Sequence, residues 1–146
     1  MTWRNGLIII AIMLALQLAL AQSSNIVFIV NTENHTEKIT VAELRDYYFK
    51  RKRRWSNGET VRFMDRTAGP LRDAFLKKYI GKSNSDVELF WIGQKLYSGD
   101  SAPLKESSDI TTMNFVGSLK GAIGYVSEVT VLRKNVKIIK VENVSE

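Results

Sequence analysis

Asp65-Arg66-Thr67-Ala68-Gly69-Pro70-Leu71-Arg72 joins one expected element to the next, and its reading decides the fold. Before it, Val61 and Phe63 alternate with Arg62 up to Met64, the period of two that marks a strand. After it, Leu71, Ala74, Phe75 and Tyr79 recur at helical spacing. Gly69-Pro70 punctuates the change. Pro70 suits the first helical position because the N–H it lacks is one the first turn leaves unbonded anyway. Gly81 is expected to end the helix, with Lys77 and Lys78 in its last turn, where the dipole favours cations.

The same alternation of strand and helix extends in both directions. Upstream, Ile26–Val30 is a short apolar run rich in β-branched residues, as in a strand buried on both faces. A polar loop follows to Lys38. Thr40-Val41-Ala42-Glu43 then reads as a capping box, with Ile39 and Leu44 placed as a hydrophobic staple, opening a helix to about Phe49. Ser56-Asn57-Gly58 marks a turn. Downstream, Ser85-Asp86-Val87-Glu88 reads as a second capping box for a helix through Phe90, Trp91 and Leu96, closed by Gly99. A further helix is expected from Ser108 or Asp109, with Ile110, Met113, Val116 and Leu119 on one face. Ala122–Val126 reads as a buried strand and Val136–Val141 as a last one. This order predicts a layered α/β domain with a mixed or mostly parallel sheet. The aromatic clusters Tyr47–Phe49, Phe75–Tyr79 and Phe90–Tyr97 are expected in the core. Gly121-Ala122-Ile123-Gly124-Tyr125 reads as close backbone packing.

The N-terminus resembles an export signal. Arg4 precedes an apolar run from Leu7 to Leu20, and Ala19-Leu20-Ala21 offers a small-x-small cleavage site. The run falls short of the roughly 20 apolar residues that span a bilayer. Cleavage after Ala21 is expected, leaving a periplasmic domain over 22–146; an uncleaved anchor is the rival reading. The net charge of +6 drops by one, to +5, without Arg4. Much of that charge lies in Lys50-Arg51-Lys52-Arg53-Arg54, read as a solvated loop after a helix, and nucleic acid is not an expected partner of an exported chain.

The catalytic inventory is thin. The chain has no cysteine and one histidine, His35, in a polar loop, so ligands for a metal or a base for a triad are not supplied. Asp65, Asp73 and Asp86 are scattered, and no glycine-rich phosphate loop is present. An enzyme is not expected, nor a cofactor. The opening stretch is the one candidate site. A helix start offers free amides and the positive end of a dipole, and Arg66 and Arg72 add charge-assisted donors for an anion. Against this, Pro70 removes one amide, and either arginine could instead be solvated or pair with Asp65 or Asp73.

The order of motifs resembles the substrate-binding proteins of phosphate ABC transporters. The resemblance rests on Thr40–Phe49 followed by Trp55-Ser56-Asn57-Gly58, then Arg66–Phe75, Trp91, Ser98-Gly99, Pro103, Ser108-Asp109 and Gly121–Tyr125. It covers roughly residues 26–126. It implies a type II periplasmic-binding-protein fold, here reduced to a single lobe, with phosphate or a similar oxyanion as ligand and a membrane transporter or sensor as partner. The site it implies is Arg66, Thr67, Gly69 and Arg72. Ala68 and Pro70 stand where the family carries hydroxyls, so weak binding is the expectation. Homodimerisation is left open as a way to rebuild a two-lobed cleft. The rival reading is an exported interaction or sensory module that kept the lobe without tight ligand binding.

Overall fold

Ile26–Asn31 (β1) and Ala122–Ser127 (β5) carry almost no polar side chains, and the chain buries them in the middle of a sheet. The fold is that of a computed structural model, which describes residues 25–128 and 130–143. The expected export segment 1–21 lies outside them. The other strands are Lys38–Thr40 (β2), Arg62–Arg66 (β3), Leu104–Glu106 (β4), Val136–Ile138 (β6) and Lys140–Glu142 (β7). The helices are Val41–Tyr48 (α1), Pro70–Phe75 (α2, continued by a π-helical turn over Leu76–Ile80), Asn84–Tyr97 (α3) and Asp109–Ser118 (α4).

Five strands form one sheet in the order β4-β3-β5-β1-β6. β3 runs parallel to β4 and β5, while β1 is antiparallel to β5 and β6, so the sheet is mixed. β2 and β7 pair in parallel as a separate ribbon. Alternation along the strands gives the sheet two apolar faces. Ile29, Ala122 and Val126 meet Met113 and Val116 of α4 on one side. On the other, Phe28, Phe63, Ile123 and Tyr125 meet Leu44, Tyr48, Phe75 and Trp91 from α1, α2 and α3. Phe75 stacks on Tyr125 with ring centroids 4.3 Å apart. Each such side chain contributes roughly 1.5–3 kcal/mol by leaving water. The expected aromatic core is therefore present, except that Tyr97 is 91% exposed.

The expected capping box at Thr40 forms. The Thr40 hydroxyl accepts from the Glu43 amide and Glu43 accepts from the Thr40 amide, both at 3.1 Å. Three expectations are corrected. α3 is capped by Ser83, whose hydroxyl accepts from the Asp86 amide, so Ser85 lies inside the first turn. Ser83 with Asp86 has the same spacing as Ser85 with Glu88, and Asn84 is drawn to Arg72 at that end. The single last strand is two: Ile139 turns into the core, 2% exposed, as the chain passes from the main sheet to the ribbon. β2 and β4, three residues each, were too short and too polar to show a period.

Gly121 confirms the reading of close backbone approach. A Cβ there would lie 2.0 Å from the Thr60 carbonyl oxygen. The Gly121 carbonyl accepts from the Arg62 amide and from the indole Nε1 of Trp55, both at 3.0 Å. The Trp55–Gly58 turn is thereby locked to the start of β5.

Candidate functional site

Because β3, β4 and β5 are parallel, their carboxyl ends, Arg66, Glu106 and Ser127, fall along one edge of the sheet. In open α/β sheets the loops leaving this edge form the natural binding crevice. Here they enclose an open concavity of about 470 Å³ lined in part by Arg66, Leu71, Ser108, Asp109 and Ser127.

Arg66 is its principal cation. Its Nη1 donates to Asp109 Oδ1 at 2.7 Å and sits 3.4 Å from the Thr112 hydroxyl. Its Nε and Nη2 meet no hydrogen-bond acceptor among the described residues. Asp109 is held from the other side. Its Oδ2 accepts from the Ser127 amide at 3.2 Å and from the Thr130 hydroxyl. One carboxylate thus ties the end of β3, the start of α4 and the end of β5 together. Ser108 caps α4, its hydroxyl accepting from the Thr111 amide.

Thr67 and Gly69 lie in the loop that leaves this edge, outside the lining of the concavity. Thr67 is exposed, and its amide donates to the Glu106 carbonyl at 3.1 Å, closing the loop against β4. Gly69 caps α2 at φ 108° and ψ 179°, a conformation that only glycine adopts without strain. Pro70 occupies the first helical position, as expected.

Arg72, by contrast, faces away from the rim. It is 3% exposed and lies beneath α2. Its Nε is 3.4 Å from Asp65 Oδ2, its Nη1 donates to Asn84 Oδ1, and its Nη2 lies 3.6 Å from Glu88. Asp65 is fully buried and takes three further donors: the hydroxyls of Tyr48 at 2.9 Å and Tyr125 at 2.6 Å, and the Arg66 amide at 2.7 Å. Burial, then the adjacent Asp65 charge, pushes both tyrosine pKa values well above their ordinary value. Of the four residues read from sequence, the fold therefore sets Arg66 in the concavity, leaves Thr67 and Gly69 in the adjoining loop and turns Arg72 inward. The contributions of Asp109 and Ser127 come from distant segments and carried no local signal beyond a helix start at Ser108-Asp109.

The basic run after α1 is largely neutralised. Arg51 meets Asp46 at 2.7 Å, Lys52 meets Glu43 at 2.9 Å and Arg53 meets Asp100 at 2.7 Å. His35 is exposed, and no cluster of metal-ligating side chains occurs among the described residues.

Comparison with solved structures places this architecture. An ABC-type phosphate transport receptor from Vibrio cholerae superposes with a TM-score of 0.62 at 17% identity, covering 80% of this chain and 45% of its own. A structure from Clostridium perfringens that holds bound phosphate gives 0.60 at 20% identity, covering 82% and 46%. PstS from Borrelia burgdorferi gives 0.59 at 15%, covering 83% and 48%. The chain has the fold of one lobe of these proteins. The resemblance read from the sequence is borne out at the level of the fold. The chain spans less than half the length of each of these structures. No family model and no curated protein sequence matches it.

Proposed function

We propose that this chain is an exported, non-enzymatic solute-binding-like protein that takes phosphate or a similar oxyanion weakly at the carboxyl edge of its parallel strands. Arg66 is the charge that meets the anion, with Thr67, the Gly69 loop and the serines of the rim as neutral donors. The observation that carries this reading is the position of Arg66: a guanidinium held by Asp109 on an open rim, with nitrogens to spare. Arg72 serves the same site from beneath by holding Asp65, which in turn fixes the Arg66 amide. Its companion in the cell is a membrane transporter or sensor of the phosphate uptake type. The mature domain is residues 22–146, released to the periplasm by cleavage after Ala21.

Isothermal titration with phosphate, with sulfate as competitor, tests the site. Weak saturable binding that disappears in Arg66→Ala supports it; no heat at millimolar phosphate refutes it for the isolated chain. Mass spectrometry of the protein recovered from the periplasm tests the export reading. A first residue other than Gln22 would remove the proposed cleavage site.

The second reading, an interaction or sensory module without ligand, is favoured by a different observation. Both arginines already have carboxylate partners, Asp109 and Asp65. Under that reading phosphate leaves the melting temperature unchanged, whereas ligand binding to the folded state must raise it.

A further inference from the structure

α3 is amphipathic in both directions. Val87 and Trp91 are buried against the sheet, yet Leu89, Ile92, Leu96 and Tyr97 are 67%, 57%, 79% and 91% exposed. Leu89, Ile92 and Leu96 follow one another at spacings of three and four, so they form a stripe along the side away from the core. A soluble surface scatters its apolar side chains; a continuous stripe marks a contact.

Gly93, on the flank of this stripe, is a second observation. Glycine weakens the middle of a helix, and an alanine Cβ there would have no described atom within 4 Å apart from the helix's own backbone. Packing within the chain therefore gives no reason for glycine, whereas close approach of another helix does.

The charges beside the stripe say what that helix is. Glu88 and Lys95 lie on one flank, two turns apart and nearly symmetric about Ile92. Within the chain Glu88 has Lys105 at 2.9 Å and the buried Arg72 at 3.6 Å, while Lys95 reaches only the Ser101 hydroxyl, at 3.2 Å. A second α3 laid antiparallel across the first, with a two-fold axis near Ile92, sets Glu88 of each copy beside Lys95 of the other. Pairing of this kind on the same flank is what antiparallel helices offer, and an isologous interface is the commonest closed assembly. An anionic membrane would offer nothing to Glu88.

We propose that the outward face of α3 is the contact between two copies of this chain. Leu89, Ile92 and Leu96 form its apolar seam, Gly93 permits close approach, and Glu88 with Lys95 sets the antiparallel direction. None of these residues lines the rim that holds Arg66, so the proposal stands apart from the ligand reading.

Sedimentation velocity on the full chain over a concentration series is the test, with circular dichroism as the check on folding. A reversible dimer is expected. Ile92→Asp with Leu96→Asp should be monomeric with an unchanged helical signal. Lys95→Glu should raise the dimer Kd roughly tenfold, because each substitution counts twice across a two-fold axis. Glu88→Gln, which removes the same pair between copies without setting a third cation beside Arg72 and Lys105, should weaken the dimer in the same direction. A wild-type chain that stays monomeric at its highest soluble concentration overturns the proposal. So does a dimer that survives the paired aspartates, since the contact must then lie elsewhere. A dimer whose Kd is unmoved by Lys95→Glu overturns the antiparallel register.

Discussion

Asp65 and Arg66 are neighbours on one strand and live in different chemistry. Asp65 points to the face covered by α1, α2 and α3, where it is sealed from water among Tyr48, Tyr125 and Arg72. Arg66 points to the α4 side and lines an open concavity, where Asp109 holds it and its side chain stays 12% exposed. Two ion pairs thus stand on opposite faces of one strand. The sealed pair is a matter of stability, because removing one partner strands a charge; the rim pair, its side chains 12% and 20% exposed, borders solvent, so water replaces part of what is lost there.

The sharpest way to break this comparison is Asp65→Ala. It leaves the Arg72 charge and two tyrosine hydroxyls buried without their acceptor, and should cost about 3–5 kcal/mol in urea unfolding. Arg72→Met should cost less, about 1–3 kcal/mol, because Asp65 keeps three donors. Equal costs for the two would show that the tyrosines contribute little.

Alkaline unfolding sharpens the same side. The folded state holds Tyr48 and Tyr125 above their ordinary pKa of 10.0, by burial first and then by Asp65. Their contribution is therefore complete below pH 10 and is lost as the pH rises beyond it, because unfolding then frees them to ionise. Stability measured across that range should fall more gently in Tyr125→Phe than in the wild type.

On the rim, Arg66→Ala should cost about 1–3 kcal/mol, less than Asp65→Ala, while removing anion binding, because the pair is mostly buried yet borders solvent. Asp109→Asn should do the reverse for the ligand, strengthening phosphate binding by about 1 kcal/mol because it removes a negative charge beside the site. A large stability loss in Arg66→Ala would move this pair into the same class as the buried one.

The smallest effect belongs to a surface pair, in which the Asp100 side chain is 20% exposed. Arg53 holds the Asp100 carboxyl at about 2, below its ordinary 3.8. This contribution is present above the unfolded value and is lost as the pH falls through about 2. Arg53→Gln should flatten the stability profile only in that acid window.

Much of this was legible in the chain. The capping box at Thr40, Pro70 at the first turn of its helix, and the central strands at 26–30 and 122–126 all depend on interactions within a few residues or on an unmistakable apolar run; the close approach at Gly121 was flagged by its glycine, though its neighbour, Thr60, is distant in sequence. The candidate rim was half legible. One loop announced Arg66 together with Thr67 and Gly69, of which only Arg66 lines the concavity, and Arg72 was expected beside them.

What the chain determined by itself, then, was local: where helices start, which runs are buried, and that strand and helix alternate. Only the tertiary structure decided which face each side chain serves. Arg72 is turned inward because a helix rotates each residue about its axis and Asp65 waits beneath it. Asp109 and Ser127 reach the rim because parallel strands bring their carboxyl ends to one edge, whatever their distance in sequence. The division of the last strand was decided there too, since Ile139 is drawn into a core built by every other element.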